Sequence, residues 1–101
     1  MIDKILLCGH NITVQNMEHV GESTIANSDY AKAIISMEAG LPCDVYYCTL
    51  IHEVIHLLMN MDGMRDAHNE RDVCALANGI FQFIKDNPTV MNNILSARGT
   101  E

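Results

Sequence analysis

The chain has 101 residues, of which 49% are apolar and only six are Lys or Arg, and its formal charge is −7. That length supports one domain with a single modest core. So acidic a chain, with so few cations, argues against nucleic acid or an anionic membrane as a direct partner.

The N-terminal portion reads as strands. Residues 2–7 and 12–17 are two apolar-rich segments joined at Cys8-Gly9-His10-Asn11, the pattern of a hairpin. Residues 22–26 are a possible third strand before a turn at Asn27-Ser28-Asp29. Residues 32–38 place Ala33, Ile35 and Met37 in alternation and predict a further strand. This last strand is also the candidate edge on which an extended peptide could add, if it is not internal to the sheet. Ala39-Gly40-Leu41-Pro42 then breaks the chain, and Asp44 is a plausible N-cap for a first helix.

The apolar run from Val45 to Met61 contains His52-Glu53-Val54-Ile55-His56, an H-E-x-x-H segment. On a helix, His52 and His56 are one turn apart and point to the same side, so both imidazoles can hold one metal. Glu53 sits beside them, placed to take a proton from a metal-bound water. The bland alternative is a polar His/Glu cluster packed in the core.

Asp62-Gly63 signals a turn, after which a second helix is expected from about Ala67 to Asp86, stopped by Pro88. Glu70, Val73, Cys74, Ala77, Ile80, Phe81 and Ile84 recur at three- and four-residue steps and predict its inward face. A carboxylate opening such a stripe needs a partner. In an antiparallel αα-hairpin, Glu70 comes level with His56, and Cys74 with His52. Two histidines and a glutamate, with water in the fourth position, make an open catalytic zinc site.

Rival ligands exist. Asp62 follows His56 by six residues, a spacing similar to that of the third ligand in metzincin-like enzymes, but Met59 stands where those enzymes carry a helix-breaking glycine. His68 lies off the Glu70 stripe. Cys48, one turn before His52, or Cys74 could close the fourth position as a thiolate and make the metal structural. The four cysteines, Cys8, Cys43, Cys48 and Cys74, form no CxxC pair. With no evident signal peptide they read as reduced thiols of a cytoplasmic protein, and their default role is as small apolar residues.

Thr49 to His56, Glu70-x-x-Val73-x-x-Leu76-Ala77 and Asp86-Asn87-Pro88 together resemble the small zincin-like metallopeptidase-like proteins of phages and prophages, distantly similar to ImmA/IrrE-type peptidases. The resemblance covers about Pro42 to Pro88. It implies a metal on His52, His56 and Glu70, Glu53 as catalytic base, and the cytoplasm of a bacterial host. Where thermolysin-like enzymes carry an aspartate that orients a ligand histidine, this chain has Cys74.

The fold expected is α+β: a small antiparallel sheet of three or four strands over 1–41, a metal-binding helical hairpin over 42–88, and a tail over 89–101 with a helical turn near Val90–Leu95, all one minimal zincin-like domain. The function expected is zinc-dependent hydrolysis of a peptide bond in a protein or peptide substrate. The alternative is a non-catalytic, zinc-stabilised phage protein that serves as a protein-binding module. Tyr30, Tyr46, Tyr47, His10, His19 and His68 are the side chains available to stabilise an oxyanion, and spacing does not choose among them.

Overall fold

The computed structural model describes residues 2–64 and 69–97. Four strands, β1 (Lys4–Leu7), β2 (His10–Met17), β3 (Ala26–Asp29) and β4 (Ile34–Glu38), precede three helices, α1 (Cys43–Met61), α2 (Glu70–Asp86) and α3 (Pro88–Ser96). The architecture is α+β. The sheet order is β1-β2-β4-β3.

β1 and β2 form the expected hairpin, in register Leu7↔His10, so the connection is the dipeptide Cys8-Gly9 alone. Both residues have positive φ, 49° and 83°, as the two central positions of a type I′ turn require. Gly9 adopts that conformation freely. β3 and β4 are a second antiparallel hairpin, bent at Tyr30–Ala33 and tied by Lys32 N–H donating to Asp29 Oδ1 at 3.1 Å.

Two features differ from the expectation. The sheet is mixed and not wholly antiparallel, because β2 and β4 pair in parallel, Thr13↔Ile34 to Met17↔Glu38. The third strand is displaced to Ala26–Asp29, so the residues expected to turn are the strand itself. With β3 outside it, β4 is internal and cannot offer an edge; the edges are β1 and β3.

One sheet face is apolar. Ile12 and Val14 from β2, Ala26 from β3 and the fully buried Ile35 and Met37 from β4 meet Tyr46, Leu50 and Leu57 of α1. Tyr46 also anchors polar atoms at the sheet end, its hydroxyl donating to Asn16 Oδ1 while Asn16 Nδ2 donates to the Ile2 carbonyl. A second cluster forms on another side of α1, where Ile55, with Ile51 and Met59, packs on Val73 and Ala77 of α2. The two helices run antiparallel: Lys85 Nζ meets Asp44 Oδ1 at 2.9 Å at one end, and Glu70 meets His56 at the other.

α1 is thus the middle layer, which explains why its sequence is an apolar run and not one clean stripe. It begins at Cys43, earlier than an Asp44 cap would allow. Pro42, with φ −53°, occupies the N-cap position, and Asp44 lies inside the first turn, where its charge complements the helix dipole. The C-terminus of α1 closes with Met64 N–H on the Met59 carbonyl and Gly63 N–H on the Asn60 carbonyl, Gly63 having φ 75°. That pair of bonds and the left-handed glycine form a Schellman closure. α2 opens at Glu70, because Asn69 caps it by accepting from the Asp72 N–H; the expected start at Ala67 lies outside the described residues. The tail forms a nine-residue helix with Pro88 in its first turn, longer than the single turn expected. No described helix is long and apolar enough to cross a membrane.

Candidate metal centre

Successive α1 residues fan around three directions. Tyr46, Leu50 and Leu57 face the sheet, and Ile51 and Ile55 face α2. The arc left over carries His52 and His56, which open into a cleft of about 690 Å³ between β3 and α2. At 100° per residue this is where i, i+4 histidines must fall once the other two arcs are apolar.

The imidazoles stack obliquely, ring centroids 5.0 Å apart and planes 60° to one another. Their side chains are 15% and 18% exposed, so most of each ring is shielded from solvent. Glu70 bridges them, with Oε1 against His52 Nε2 and Oε2 3.0 Å from His56 Nε2. The three residues offer donor atoms that all lie within 4.8 Å of one another. A tetrahedral zinc with bonds of about 2.0–2.2 Å holds its ligand atoms roughly 3–3.5 Å apart. The donors present therefore fit one ion with small side-chain adjustments, and their chemistry, two imidazoles and a carboxylate, suits a first-row divalent metal.

Glu70 does not sit on a buried stripe. It is 68% exposed and stands at the first turn of α2, where unpaired backbone N–H groups favour a carboxylate. Of the residues predicted to face inward with it, Val73 and Ala77 are buried and Phe81 half-buried, whereas Cys74, Ile80 and Ile84 are exposed. The helix is short of partners on that side, since only α1 and α3 touch it among the described elements.

Glu53 is the one charged side chain in the core of the described residues, 7% exposed. Burial raises its carboxyl above the ordinary glutamate range; a hydrogen bond donated by the Ser28 hydroxyl and the neighbouring His52 and His56 work in the opposite direction. Sequence reasoning misses Ser28, because the composition of 27–29 is that of a turn. Its place two residues into β3, directly over α1, follows only from the sheet register. Asn60, one turn beyond His56, donates to the His56 carbonyl at 2.9 Å and steadies the end of the motif.

The rival ligands separate from the site. Asp62 is an exposed helix cap beyond the last turn and is not among the converging donors. His68 lies outside the described residues. Cys48 and Cys74 line the cleft, but neither joins the donor group. The Cys48 thiol instead donates to Asn78 Oδ1 at 3.2 Å, and burial, with Cys74 nearby, pushes it up from the usual thiol range.

None of the described oxyanion candidates reaches the cleft. Tyr46 is buried on Asn16, and Tyr47 packs edge-on to Tyr46. His10 and Tyr30 line a separate, smaller cavity, and His19 faces Glu38 at 3.7 Å. Besides His52, His56, Glu53, Glu70 and the two thiols, the polar groups that line the cleft are hydroxyls and amides, among them Thr24, Asn27, Thr49 and Asn78.

Comparison with protein-family models, with curated proteins and with solved structures gives no match to this chain.

Proposed function

We propose that the protein is a zinc-dependent metallopeptidase of the glutamate-zincin kind, with His52, His56 and Glu70 as metal ligands and Glu53 as general base. The observation that carries this reading is the convergence of two imidazole nitrogens and a carboxylate on one point of an open cleft, with a second, buried carboxylate beside them. A polar cluster serving only stability has no need of a cleft. Burying Glu53 without a cationic partner is also costly, which a metal in the cleft would offset.

Zinc, when bound, supplies an acidified water and polarises the scissile carbonyl. Glu53 would serve as the base for that water and would pass the proton on to the leaving amine. Its raised carboxyl, nearer to neutrality than an exposed glutamate, is suited to both halves of that transfer. Ser28 holds one side of the carboxylate, leaving the other toward the cleft. An extended peptide fits along the outer edge of β3, whose approach, Ser23 to Ser28, lines the cleft wall.

The experiment is zinc analysis of the purified chain with a cleavage screen on proteome-derived peptides, repeated for Glu53→Gln. The expected result is about one zinc per chain in both proteins and cleavage only by the parent. Zinc binding with no cleavage that depends on Glu53 would replace this reading with the non-catalytic binding module.

A further inference from the structure

The walls of the cleft differ in kind from those of a usual ligand pocket, which are mostly apolar. Outside the proposed metal centre they carry hydroxyl, amide and thiol side chains, with Ile25 as the one large apolar residue among the described lining. No described Lys or Arg lines it, and its carboxylates, Glu53 and Glu70, belong to the centre itself. Two polar groups are left for a ligand. The Cys48 thiol holds Asn78 Oδ1 at 3.2 Å, which turns the Asn78 Nδ2 donors away from it. Neither those donors nor the Thr49 hydroxyl has a hydrogen-bond partner among the described residues.

Beside them the edge of β3 has one fully open place. Glu38 N–H donates to the Ile25 carbonyl at 2.9 Å, so in the register Ala26↔Met37 it is Ile25 with Glu38, and next Asn27 with Ser36, that bond across the ladder. The main chain of Ala26 and Ser28 therefore points outward, to the cleft that both residues line. Thr24 Oγ1 occupies the Ala26 carbonyl at 2.8 Å, which leaves Ser28 as the residue that offers both N–H and C=O. A peptide residue paired there has its side chain on the same side of the sheet as that of Ser28. That side faces α1, since Ala26 packs in the core and the Ser28 hydroxyl meets Glu53. Every second side chain of the peptide thus turns to the cleft floor, and the ones between turn away.

We infer that the cleft takes an extended peptide whose inward, alternate side chains are polar and uncharged: Ser, Thr, Asn or Gln. The inference rests on the reading of this cleft as a peptide-cleaving site and adds the class of residue it accepts. An anionic side chain would meet carboxylates with no Lys or Arg among them, on a chain of charge −7. A cationic one finds both carboxylates committed, in that reading, to the metal and its water. A large apolar one strips water from Thr49 and Asn78 and returns no hydrogen bond. A hydroxyl or amide side chain can satisfy both.

Fluorescence anisotropy of labelled nine-residue peptides tests this on Glu53→Gln in the presence of zinc, a protein that should bind without cutting. The probes share one host sequence and carry Thr, Asn, Leu, Lys or Glu at two central positions, two residues apart. The Thr and Asn peptides should bind at least about tenfold more tightly than the other three, the worth of one unmet hydrogen bond. Leu placed at the residue between should leave the Thr peptide's affinity within about twofold, because that side chain turns away. Thr49→Val and, separately, Asn78→Leu should each narrow the preference for Thr over Leu, with circular dichroism to check folding. A Leu, Lys or Glu peptide that binds as tightly as the Thr peptide overturns the inference. So do the absence of binding by every probe, an equal loss from Leu at the intervening position, and a preference unmoved in the folded variants. Cleavage by the parent is read separately. Peptides bound in the expected order but never cut remove the peptidase reading and keep the class of ligand, whereas cutting without that order does the reverse.

Discussion

α1 and α2 share the candidate metal centre, yet they are opposite kinds of helix. α1 buries Tyr46, Leu50, Glu53, Ile55 and Leu57 and is packed on two sides, whereas α2 buries only Val73 and Ala77. The two histidines therefore stand on the most constrained element of the fold, and Glu70 is delivered by a helix resting on a small apolar contact. This division teaches how so short a chain can prepare a site. Two of the proposed ligands are fixed by the core, and the third, exposed and near a helix end, would be drawn in by an ion. Binding energy would then go partly into docking α2 onto α1.

The sharpest way to break that contrast is to weaken each helix's packing separately. Leu57 is 1% exposed between α1 and the sheet, so Leu57→Ala should cost about 2–5 kcal/mol and show as a large loss of Tm in the metal-free protein. Val73→Ala removes two methyls from the smaller cluster and should cost about 1–2 kcal/mol. It should also weaken metal binding, because it loosens the helix that brings Glu70. Calorimetry of both variants with and without zinc separates the effects. If Val73→Ala costs more than Leu57→Ala, α2 is not the loosely held partner.

Glu70→Ala isolates the third ligand. It should lower metal affinity by more than about a hundredfold, beyond what loss of an outer partner does. Because Glu70 is 68% exposed, metal-free stability should change little. Asp62→Ala should leave affinity unchanged, as expected of an exposed cap. Titration with a competing chelator reads the parent and both variants, and a reversed ranking of Glu70 and Asp62 would move the third ligand to the loop.

The same contrast marks where sequence was legible. The His52/Glu53/His56 set follows from a spacing of four within one helix, and Glu70 from counting turns across a short connection. Both are local geometry. What lay beyond reach depended on tertiary register. Ala26–Asp29, with Asn, Ser and Asp in it, has turn composition and becomes a strand only because β4 pairs with it. The parallel pairing of β2 with β4 leaves no local mark either, and Ser28 over Glu53 follows from both. On α2 the periodicity marks a real apolar stripe but cannot say what covers it, so Ile80 and Ile84 carry the pattern of a core they do not enter. Periodicity reports a face; it does not report its neighbour.

A smaller effect is expected at Glu53 in the metal-free protein. Its carboxyl is raised by burial, so over the interval between the ordinary glutamate range and the raised value the folded state binds the proton the unfolded chain has lost. Stability therefore falls as pH rises through that interval and stays lower above it. Glu53→Gln removes the penalty while keeping an acceptor for Ser28. The variant should melt above the parent at neutral pH and match it once Glu53 is protonated in both states. Each unit of pKa is about 1.4 kcal/mol, or roughly 4–8 °C in a domain this small. A variant less stable than its parent at neutral pH would mean that the carboxylate holds the fold together by a contact Gln cannot make.

The smallest change is expected at the cysteines, and it tests whether the metal keeps an open position. Cys48 and Cys74 both line the cleft, and sulfur from either would give the ion a fourth protein ligand. The geometry favours the open site. The Cys48 thiol is turned to Asn78 at 3.2 Å, and burial pushes it up from the usual thiol range, away from the thiolate form that binds a metal. Cys74 is exposed on α2 and outside the converging donors. Cys48→Ser retains a donor for Asn78, and Cys74→Ser replaces one small exposed group with another. Each should therefore cost less than about 1 kcal/mol and leave the zinc stoichiometry unchanged. The cobalt-substituted protein should lack a thiolate-to-metal absorption band. A band that disappears in one of the two variants would identify the sulfur ligand. It would also close the position that Glu53 needs, because a base buried beside two histidines has a proton to take only when water can reach the ion.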